Sequence, residues 1–397
     1  MTRRLALASP TTRRSIRPSE VLHEGQGWAI RRSRPTDALA VSELLREVPF
    51  GGEFPVVEER QEDAFALRNI RTMDAGSAPD IYIVESQGFV AGSACVVVRP
   101  GAATGGIVPL AHLTDVRLRP ELRAGKVLPT LLRIALEDVR VRLGAELAVM
   151  HLLDRDHVAL APFIRRSRER YEQPMAQVAG LTDLLLIPLG RHTDIPRHFS
   201  AAAHHDLPEL GTFISARQAS RRFAEPVSIE TLAHELTRLP DQRVDHTFMM
   251  RDATGALSAC LTVVDTGRFR RFVPLQPTGW ARAESLVQRS ASALGLAPAA
   301  PGEGETAEVL WVSTIEARGD EPARLQALLE GVLAAHAESS WDWLGVALPR
   351  GPQTTALAQA LRATTFPISV LVLSLAGTRW NNVDLRAPRV RVNAAFL

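Results

Sequence analysis

The chain has 397 residues, 46% of them hydrophobic and 23% charged, and a formal net charge of +2 at neutral pH. This composition is ordinary for a globular protein, and the small net charge gives no reason to expect a nucleic-acid partner. The length predicts two domains of about 170–200 residues, each large enough to bury a hydrophobic core.

The ends and the cysteines set expectations about location. Five arginines and no acid precede Glu20, so we expect residues 1–27 to form a disordered basic tail, with contact to an anionic surface as the alternative. No secretory segment and no apolar run of 18 residues is present, so we expect no membrane span. Cys95 and Cys260 fall in separate domains, which favours a reducing, cytoplasmic location.

The first elements in chain order predict an α/β protein. Apolar periodicity predicts a strand at 28–33, a helix at 38–48 that Thr36 or Asp37 can cap, and a hairpin at 81–98 around Gln87-Gly88. Residues Leu113–Leu118 alternate apolar and polar side chains, as a half-buried strand does, and Pro120 ends that strand.

A basic turn joins this strand to a helix. From Lys126 apolar residues recur at spacings of three and four, which predicts a helix to Leu143 with Gly144 as its C-terminal cap. Arg123, Gly125 and Lys126 precede the helix, where unpaired backbone N–H groups would lie beside positive charge. This pattern favours a phosphate or pyrophosphate site, and Lys126 is the only lysine of the chain.

The first half is completed by four further segments: a strand at 147–153, a helix at 158–168, a final pair of strands within 172–189 and a linker at 190–196.

The second half of the sequence is predicted to repeat the first. A shift of 197 places Leu113, Leu147 and nearby leucines on identical residue types, beginning with Leu310 and Leu344. Earlier the shift is smaller, 169 between Asp37 and Asp206 and 165 between Cys95 and Cys260 on the third strands. The change from 165 to 197 predicts about 32 extra residues between the third and fourth strands of the second copy.

The strand and turn around Arg123 resemble the acyl-CoA motif of the GNAT superfamily, the Gcn5-related N-acetyltransferases. In that family a strand with a proline-containing turn leads into Arg/Gln-x-x-Gly-x-Gly/Ala. Here Arg123 is present, Lys126 and Leu128 replace both glycines, and Gly125 lies one place early. The resemblance implies two tandem α/β (α+β) modules, at 28–190 and 195–397, each a mixed central sheet flanked by helices.

The resemblance also implies where an acyl-CoA would bind, in an opening between the fourth and fifth strands. The backbone of Val116 and Leu118 would pair with the pantetheine amides. The pyrophosphate would lie on the turn formed by Arg123, Ala124, Gly125, Lys126, Val127 and Leu128.

For catalysis, the family uses a general base, for which Glu53, Asp115 and His112 are the candidates here. The family's tyrosine, which protonates the leaving thiolate, is replaced by Phe163, and Tyr171 is the substitute we consider. His151 and the polar residues after it are interpreted as a solvated loop near the acceptor path.

The second module departs further from the motif. Its equivalent turn contains Asp320, Glu321 and Pro322 and keeps no glycine, so we expect it not to bind CoA. The tract His204–Asp206 resembles a metal cluster, but Asp206 matches the capping Asp37, and we expect no metal.

Together these features predict an acyltransferase that moves an acyl group, expected to be acetyl, from acyl-CoA to an amine of a small molecule or peptide, in the first module. Two alternatives stay open: a non-catalytic binding or scaffold protein, and an enzyme that uses acyl carrier protein, held by Arg119, Arg123 and Lys126. A homodimer is a further expectation.

Overall fold

The structure is a computed structural model of the chain. It describes residues 21–50, 55–60, 79–103, 106–123, 126–153, 175–189, 194–219, 221–238, 246–267, 270–278, 306–320 and 322–375, with isolated positions at 282, 286, 290, 304, 378 and 380.

The first half contains eight strands and three helices among the described residues. In chain order they are β1 (Val21–Gly25), β2 (Trp28–Arg32), α1 (Ala38–Glu47), β3 (Val56–Arg60), β4 (Asp80–Ser86), β5 (Phe89–Ala103), β6 (Gly106–Leu118), α2 (Pro120–Arg123), α3 (Val127–Leu143), β7 (Leu147–Leu153) and β8 (Met175–Pro188).

The second half follows the same plan. Its described elements are β9 (Phe199–Ala201), α4 (Leu207–Gln218), α5 (Ile229–Arg238), β10 (Thr247–Arg251), β11 (Leu257–Asp265), β12 (Arg270–Pro274), β13 (Val309–Ala317), α6 (Pro322–Ala335), β14 (Trp343–Pro349), α7 (Pro352–Ala360) and β15 (Thr364–Ser374).

The strands of both halves form one continuous mixed sheet. Its 13 strands run in the order β1-β2-β4-β5-β6-β7-β15-β8-β14-β13-β11-β10-β9. Only β6–β7 and β13–β14 are parallel pairs in this described sheet, and a helix, α3 or α6, crosses between the two strands of each pair. The predicted fold class, an α/β protein with a mixed sheet flanked by helices, is confirmed.

The last strands of the two halves are exchanged. β15 pairs with β7 over seven residues, and β8 pairs with β14 over seven residues, while β8 and β15 pair with each other at the centre. In each half, the strand that follows the crossover helix, β7 or β14, therefore pairs on its free edge with the final strand of the other half. The boundaries at 28–190 and 195–397 stay a prediction.

Three local expectations need correction or completion. Residues 21–25 form β1, a hairpin partner of β2 made possible by the positive φ of Gly27 (77°), so this segment does not belong to the disordered tail. The predicted pair of strands within 172–189 is the single long strand β8, because β14 and β15 pair with it along its length. The predicted helix at 158–168 lies outside the described residues.

The core has separate layers on the two faces of the sheet. In the first half, Leu131, Leu132 and Leu136 of α3 pack on the face of β6 and β7 that carries Leu113 and Met150. The opposite face forms a seam between the halves. Leu110 and Val149 there meet Trp311 and Val264 of the second half in one buried cluster.

The two halves also share a second, two-stranded sheet. β12, from the segment inserted between the third and fourth strands of the second copy, pairs antiparallel with β3 of the first half. None of the described helices is long and apolar enough to span a membrane.

The predicted repeat stays a prediction, but its strands can be compared in the two halves, and the predicted register between them is wrong. Leu113 and Leu310 lie on equivalent strands, each in the parallel pair of its half. Leu113 pairs with Met150, so a constant shift of 197 would pair Leu310 with Ala347. Leu310 pairs instead with Leu344, so the two copies differ by three residues in this ladder.

Candidate functional site: an opening between parallel strands

The parallel ladder of β6 and β7 ends in the middle of the sheet. It pairs Leu110–Leu113 with Leu147–Met150 and goes no further, although both strands continue. Residues 114–118 and 151–153 therefore form the walls of an opening. The second half has the same feature, because β13 and β14 pair only over Val309–Trp311 and Trp343–Gly345.

A β-bulge accounts for the divergence. The register of β5 with β6 shifts between Ser93 and Cys95, so that Asp115 and Val116 together oppose Ala94. Asp115 has a positive φ of 52°, a conformation that aspartate tolerates better than most residues, and its carbonyl accepts a hydrogen bond from Ser93 Oγ at 3.0 Å. An extra residue bends the strand that carries it, here away from β7.

Backbone groups of Val116 and Leu118 face this opening. The N–H of Arg119 binds Ala91 O of β5 at 2.9 Å, and alternate residues of a strand face the same neighbour. Leu118 and Val116 therefore turn their backbone groups away from β5. Two guanidinium groups hold their carbonyls: Arg117 Nη1 donates to Val116 O at 3.1 Å and Arg123 Nε to Leu118 O at 2.9 Å.

The start of α3 provides donors at the end of the opening. Lys126 is the N-cap residue, and no side chain caps the helix. The first intrahelical bond in this turn is Thr130 N to Lys126 O at 3.0 Å, and Pro129 has no N–H. The amides of Val127 and Leu128 thus have no acceptor within the helix, as the first turn of any α-helix leaves them.

Some predicted site residues cannot be located. Ala124 and Gly125 of the turn, and the catalytic candidates Glu53 and Tyr171, lie outside the described residues, as does Phe163.

Arg119, which the carrier-protein alternative assigns to contact with the carrier, forms an ion pair with Glu47 of α1 at 2.6 Å. The described residues thus bring together Asp115, Val116, Leu118, Arg123, Lys126, Val127 and Leu128 around one opening.

A buried acid lies on the seam face beside this opening, and the sequence did not predict it. Glu58 of β3 is fully buried between Arg270 of β12, at 2.7 Å, and Arg117 of β6, at 3.8 Å. Each guanidinium also lies over an aromatic ring, Arg117 over Phe50 at 4.2 Å and Arg270 over Phe272 at 4.4 Å. This cluster joins the opening of the first half to the inserted strand of the second half.

Two histidines line the same face. His112 precedes the last ladder pair on β6, and His151 is the first residue of β7 beyond that pair. Burial lowers the pKa of His151 to about 4. Burial, with the charges of Arg99 and His151, lowers the pKa of His112 to about 3. The interpretation of a solvated loop is wrong for His151, because this residue lies within β7, which pairs with β15 through Leu153, and its Nε2 atom is buried. The polar residues after it lie outside the described residues.

The second half builds a different turn at the equivalent place. Gly319 has a positive φ of 73°, and Arg318 binds Asp252 at 3.3 Å and Leu257 O at 3.0 Å. Pro322 begins α6 and contributes no amide donor. The expectation that this half does not bind CoA stays a prediction.

The tract His204–Asp206 belongs to a capping structure. Asp206 accepts a hydrogen bond from Ala203 N at 2.9 Å and one from Arg251 Nη2 at 3.1 Å, while the side chain of His205 is 84% exposed. The described parts of the chain contain no group of three or more His, Cys, Asp or Glu residues placed to hold a metal ion.

Several solved structures of N-acyltransferases have a similar fold. A Saccharomyces cerevisiae N-myristoyltransferase with bound myristoyl-CoA and inhibitors matches 96% of this chain and 88% of its own, with a TM-score of 0.59 and 10% identity. A GCN5-related N-acetyltransferase from Sphaerobacter thermophilus matches 91% of this chain and 99% of its own, with a TM-score of 0.55 and 12% identity.

A fungal GCN5-related glucosamine N-acetyltransferase region, within a multi-domain β-N-acetylglucosaminidase, matches 92% of this chain and 39% of its own, with a TM-score of 0.56 and 14% identity. No protein-family model and no curated protein sequence matches the chain.

At these identities the likeness shows the fold alone. The bulged fourth strand, the diverging parallel pair and the superpositions together define a GNAT-superfamily fold. Its two successive sets of elements are consistent with the two-module architecture of N-myristoyltransferase.

Proposed function

We propose that this chain is an acyl-CoA-dependent N-acyltransferase whose working site is the opening in the first half. The observation that supports this best is that β6 and β7 part after Leu113 and Met150, directly beside a helix start without a side-chain cap. An extended chain carrying amides and a terminal diphosphate fits such a site, because strand backbone binds the amides and helix N–H groups bind the anion.

The residues at the helix start can hold the pyrophosphate. The amides of Val127 and Leu128 point out of the first turn, and the helix dipole favours negative charge there. Arg123 and Lys126 add positive charge at the same end of the opening. Since both motif glycines are absent, the backbone cannot approach the pyrophosphate as closely as in the family. The charged side chains of the turn would therefore contribute more to pyrophosphate binding than its backbone N–H groups.

Binding in the opening requires a rearrangement of two side chains. The carbonyls of Val116 and Leu118 already accept hydrogen bonds from Arg117 and Arg123. A pantetheine amide that used either carbonyl would displace a guanidinium or share its acceptor. Released from Leu118, Arg123 would be free to turn toward the pyrophosphate.

For the reaction, the acceptor nitrogen attacks the thioester carbon, the carbon–sulfur bond breaks and the nitrogen loses a proton. Asp115 is one candidate to accept this proton, since the bulge sets it on the wall of the opening. Glu53 and Tyr171 keep their proposed roles as alternative base and acid. The acceptor is a small-molecule or peptide amine, acetyl is the expected acyl group, and a cytoplasmic location and a homodimer remain proposals.

One observation favours the alternative function, a non-catalytic binding or scaffold protein. The backbone carbonyls of Val116 and Leu118 on β6 already accept hydrogen bonds from arginine side chains. Calorimetry on the purified protein separates these functions when free CoA, acetyl-CoA, a longer acyl-CoA and an acyl carrier protein are titrated in parallel. Saturable binding of an acyl-CoA, followed by thiol release with an amine, supports the transferase. Binding without thiol release supports the scaffold, binding of the carrier alone supports a carrier-dependent enzyme, and no binding contradicts all three.

A further inference from the structure

The strongest unexplained feature of the opening is the imidazole of His151. Its Nε2 atom is buried and meets no hydrogen-bond partner among the residues that the structure describes. Burying a polar nitrogen without a partner is unfavourable, so such atoms call for an explanation, such as a bound ligand that supplies the missing partner.

The position of His151 places that nitrogen on a wall of the opening. β6 and β7 pair for the last time at Leu113 and Met150, and His151 follows immediately on the diverging part of β7. On its other side it pairs with Val370 of β15, so the strand is fixed where the opening begins.

The face on which His151 lies is the seam between the halves. Side chains alternate along a strand, so His151 shares a face with Leu147 and Val149, which pack with Trp311 of the second half. On β6 the same face carries His112 and, past the bulge, Arg117, since Val116 packs on the opposite layer with α3. The imidazole thus faces the side of the opening that both halves enclose.

From this placement we infer that His151, in place of Asp115, is the catalytic residue that moves the proton in the first-half site: Nε2 takes the proton of the attacking amine and passes it to the departing sulfur. The inference rests on the proposed acyl transfer. The amine nitrogen forms a bond to the acyl carbon, the carbon–sulfur bond breaks, and the sulfur keeps the electron pair. The proton leaves nitrogen for Nε2 and then joins sulfur, so the imidazole returns to its starting form and no other reactant is consumed.

This role accounts for the phenylalanine that replaces the family's acid at position 163. With its pKa lowered to about 4, the imidazole of His151 is neutral near pH 7 and can accept a proton. Once protonated it is a much stronger acid than a thiol, whose ordinary pKa is about 8.5, so transfer to the thiolate is strongly downhill. The titratable group that interacts with it is His112 of β6, and the charge that acts on His112 is that of Arg99 of β5, which is paired with Glu225 at 3.1 Å.

The test compares His151→Gln with His205→Gln, a matched change on the 84% exposed side chain of the second half. Thiol release from acetyl-CoA is followed with a panel of primary amines, together with acetyl-CoA binding and thermal unfolding. We expect His151→Gln to lower kcat at pH 7 by about 100-fold or more, the usual contribution of a positioned acid or base, with acetyl-CoA affinity and the unfolding midpoint at that pH unchanged. A kcat within about threefold of the wild type, or a loss of acetyl-CoA binding that matches the loss of rate, overturns the assignment.

Failure of the inference and failure of the proposed function are distinguishable. A wild-type protein that binds no acetyl-CoA contradicts the proposed function, and the inference falls with it. A wild-type protein that binds acetyl-CoA but releases no thiol is examined by ¹⁵N resonances of labelled histidine. The His151 imidazole must then shift on addition of acetyl-CoA while His205 does not, and an unshifted His151 overturns the inference.

Discussion

Asp37 and Asp206 occupy the same structural position in the two halves. Each accepts a hydrogen bond from the backbone N–H three residues earlier, Arg34 N at 2.6 Å and Ala203 N at 2.9 Å. Each is the last residue of a short 3-10 turn, directly precedes a helix and binds an arginine, Arg31 in the first half and Arg251 in the second. A shared device of this detail favours duplication of one ancestral module.

The two copies of this device predict unequal losses of stability. The Arg31 side chain is 6% exposed and binds Asp37 through two nitrogens, at 2.7 and 3.0 Å. Burial raises the pKa of Asp37, but hydrogen bonds from Arg31 and Arg34 outweigh it and hold that pKa below its usual range. Asp37→Ala should therefore lower the free energy of unfolding by about 3 kcal/mol, since it leaves a buried guanidinium with the partly exposed Glu85 as its ion-pair partner and the carbonyl of Arg32 as a further acceptor.

Asp206→Ala is the matched control. The side chain of Arg251 is 30% exposed and keeps its ion pair with Glu209, so we expect a loss of about 1 kcal/mol there. Urea unfolding of both variants measures the difference. Equal losses of unfolding free energy in the two variants would contradict the claim that the deeper burial of Arg31 makes its ion pair harder to replace.

The strand exchange predicts that the halves do not fold alone. A fragment of residues 21–190 lacks β15, so β7 and β8 lose the strand that lies between them and expose unpaired edges. We expect this fragment to aggregate or to show broad, non-cooperative unfolding, and to become soluble when co-expressed with residues 191–397. A monomeric fragment with a sharp unfolding transition would show that the exchange is unnecessary for folding.

The two seam histidines predict a loss of stability in acid. Their folded-state pKa values, about 3 for His112 and about 4 for His151, lie below the ordinary value of 6.5. The unfolded chain therefore binds more protons below pH 6.5, and stability that is complete above that pH declines as the pH falls. By pH 5 each histidine should account for about 2 kcal/mol.

Replacement identifies the source of that decline. His112→Gln and His151→Gln should each flatten the fall in unfolding free energy between pH 7 and pH 5, whereas His205→Gln should not. If the free energy of unfolding of the wild type does not change between pH 7 and pH 5, His112 and His151 are not buried as neutral imidazoles.

The order of elements in the described residues and the basic turn could be predicted from sequence, because local periodicity and turn residues encode them. The opening between the fourth and fifth strands was expected from the family resemblance alone. The exchange of β8 and β15 could not. Both are apolar strands, and nothing in their composition distinguishes β7 from β14 as the partner. Hydrophobic pattern identifies a central strand but does not identify its neighbour.

The seam cluster escaped prediction for a related reason. Glu58 and Arg270 are 212 positions apart, and they meet only because β3 and β12 pair across the halves. Acidic and basic residues that alternate near a strand end usually indicate a solvated edge. Sequence alone gives no sign that this acid is fully buried.

The central claim is that the first half, and only the first half, binds acyl-CoA through its basic turn. Isothermal calorimetry with acetyl-CoA should be run on the wild type, on Arg123→Ala with Lys126→Ala, and on Arg324→Ala of α6. The account predicts that the double change weakens binding by about 1.5–3 kcal/mol for each charged hydrogen bond lost, and that Arg324→Ala leaves it unchanged. Equal weakening at both places, or no binding of acetyl-CoA by the wild type, would contradict it.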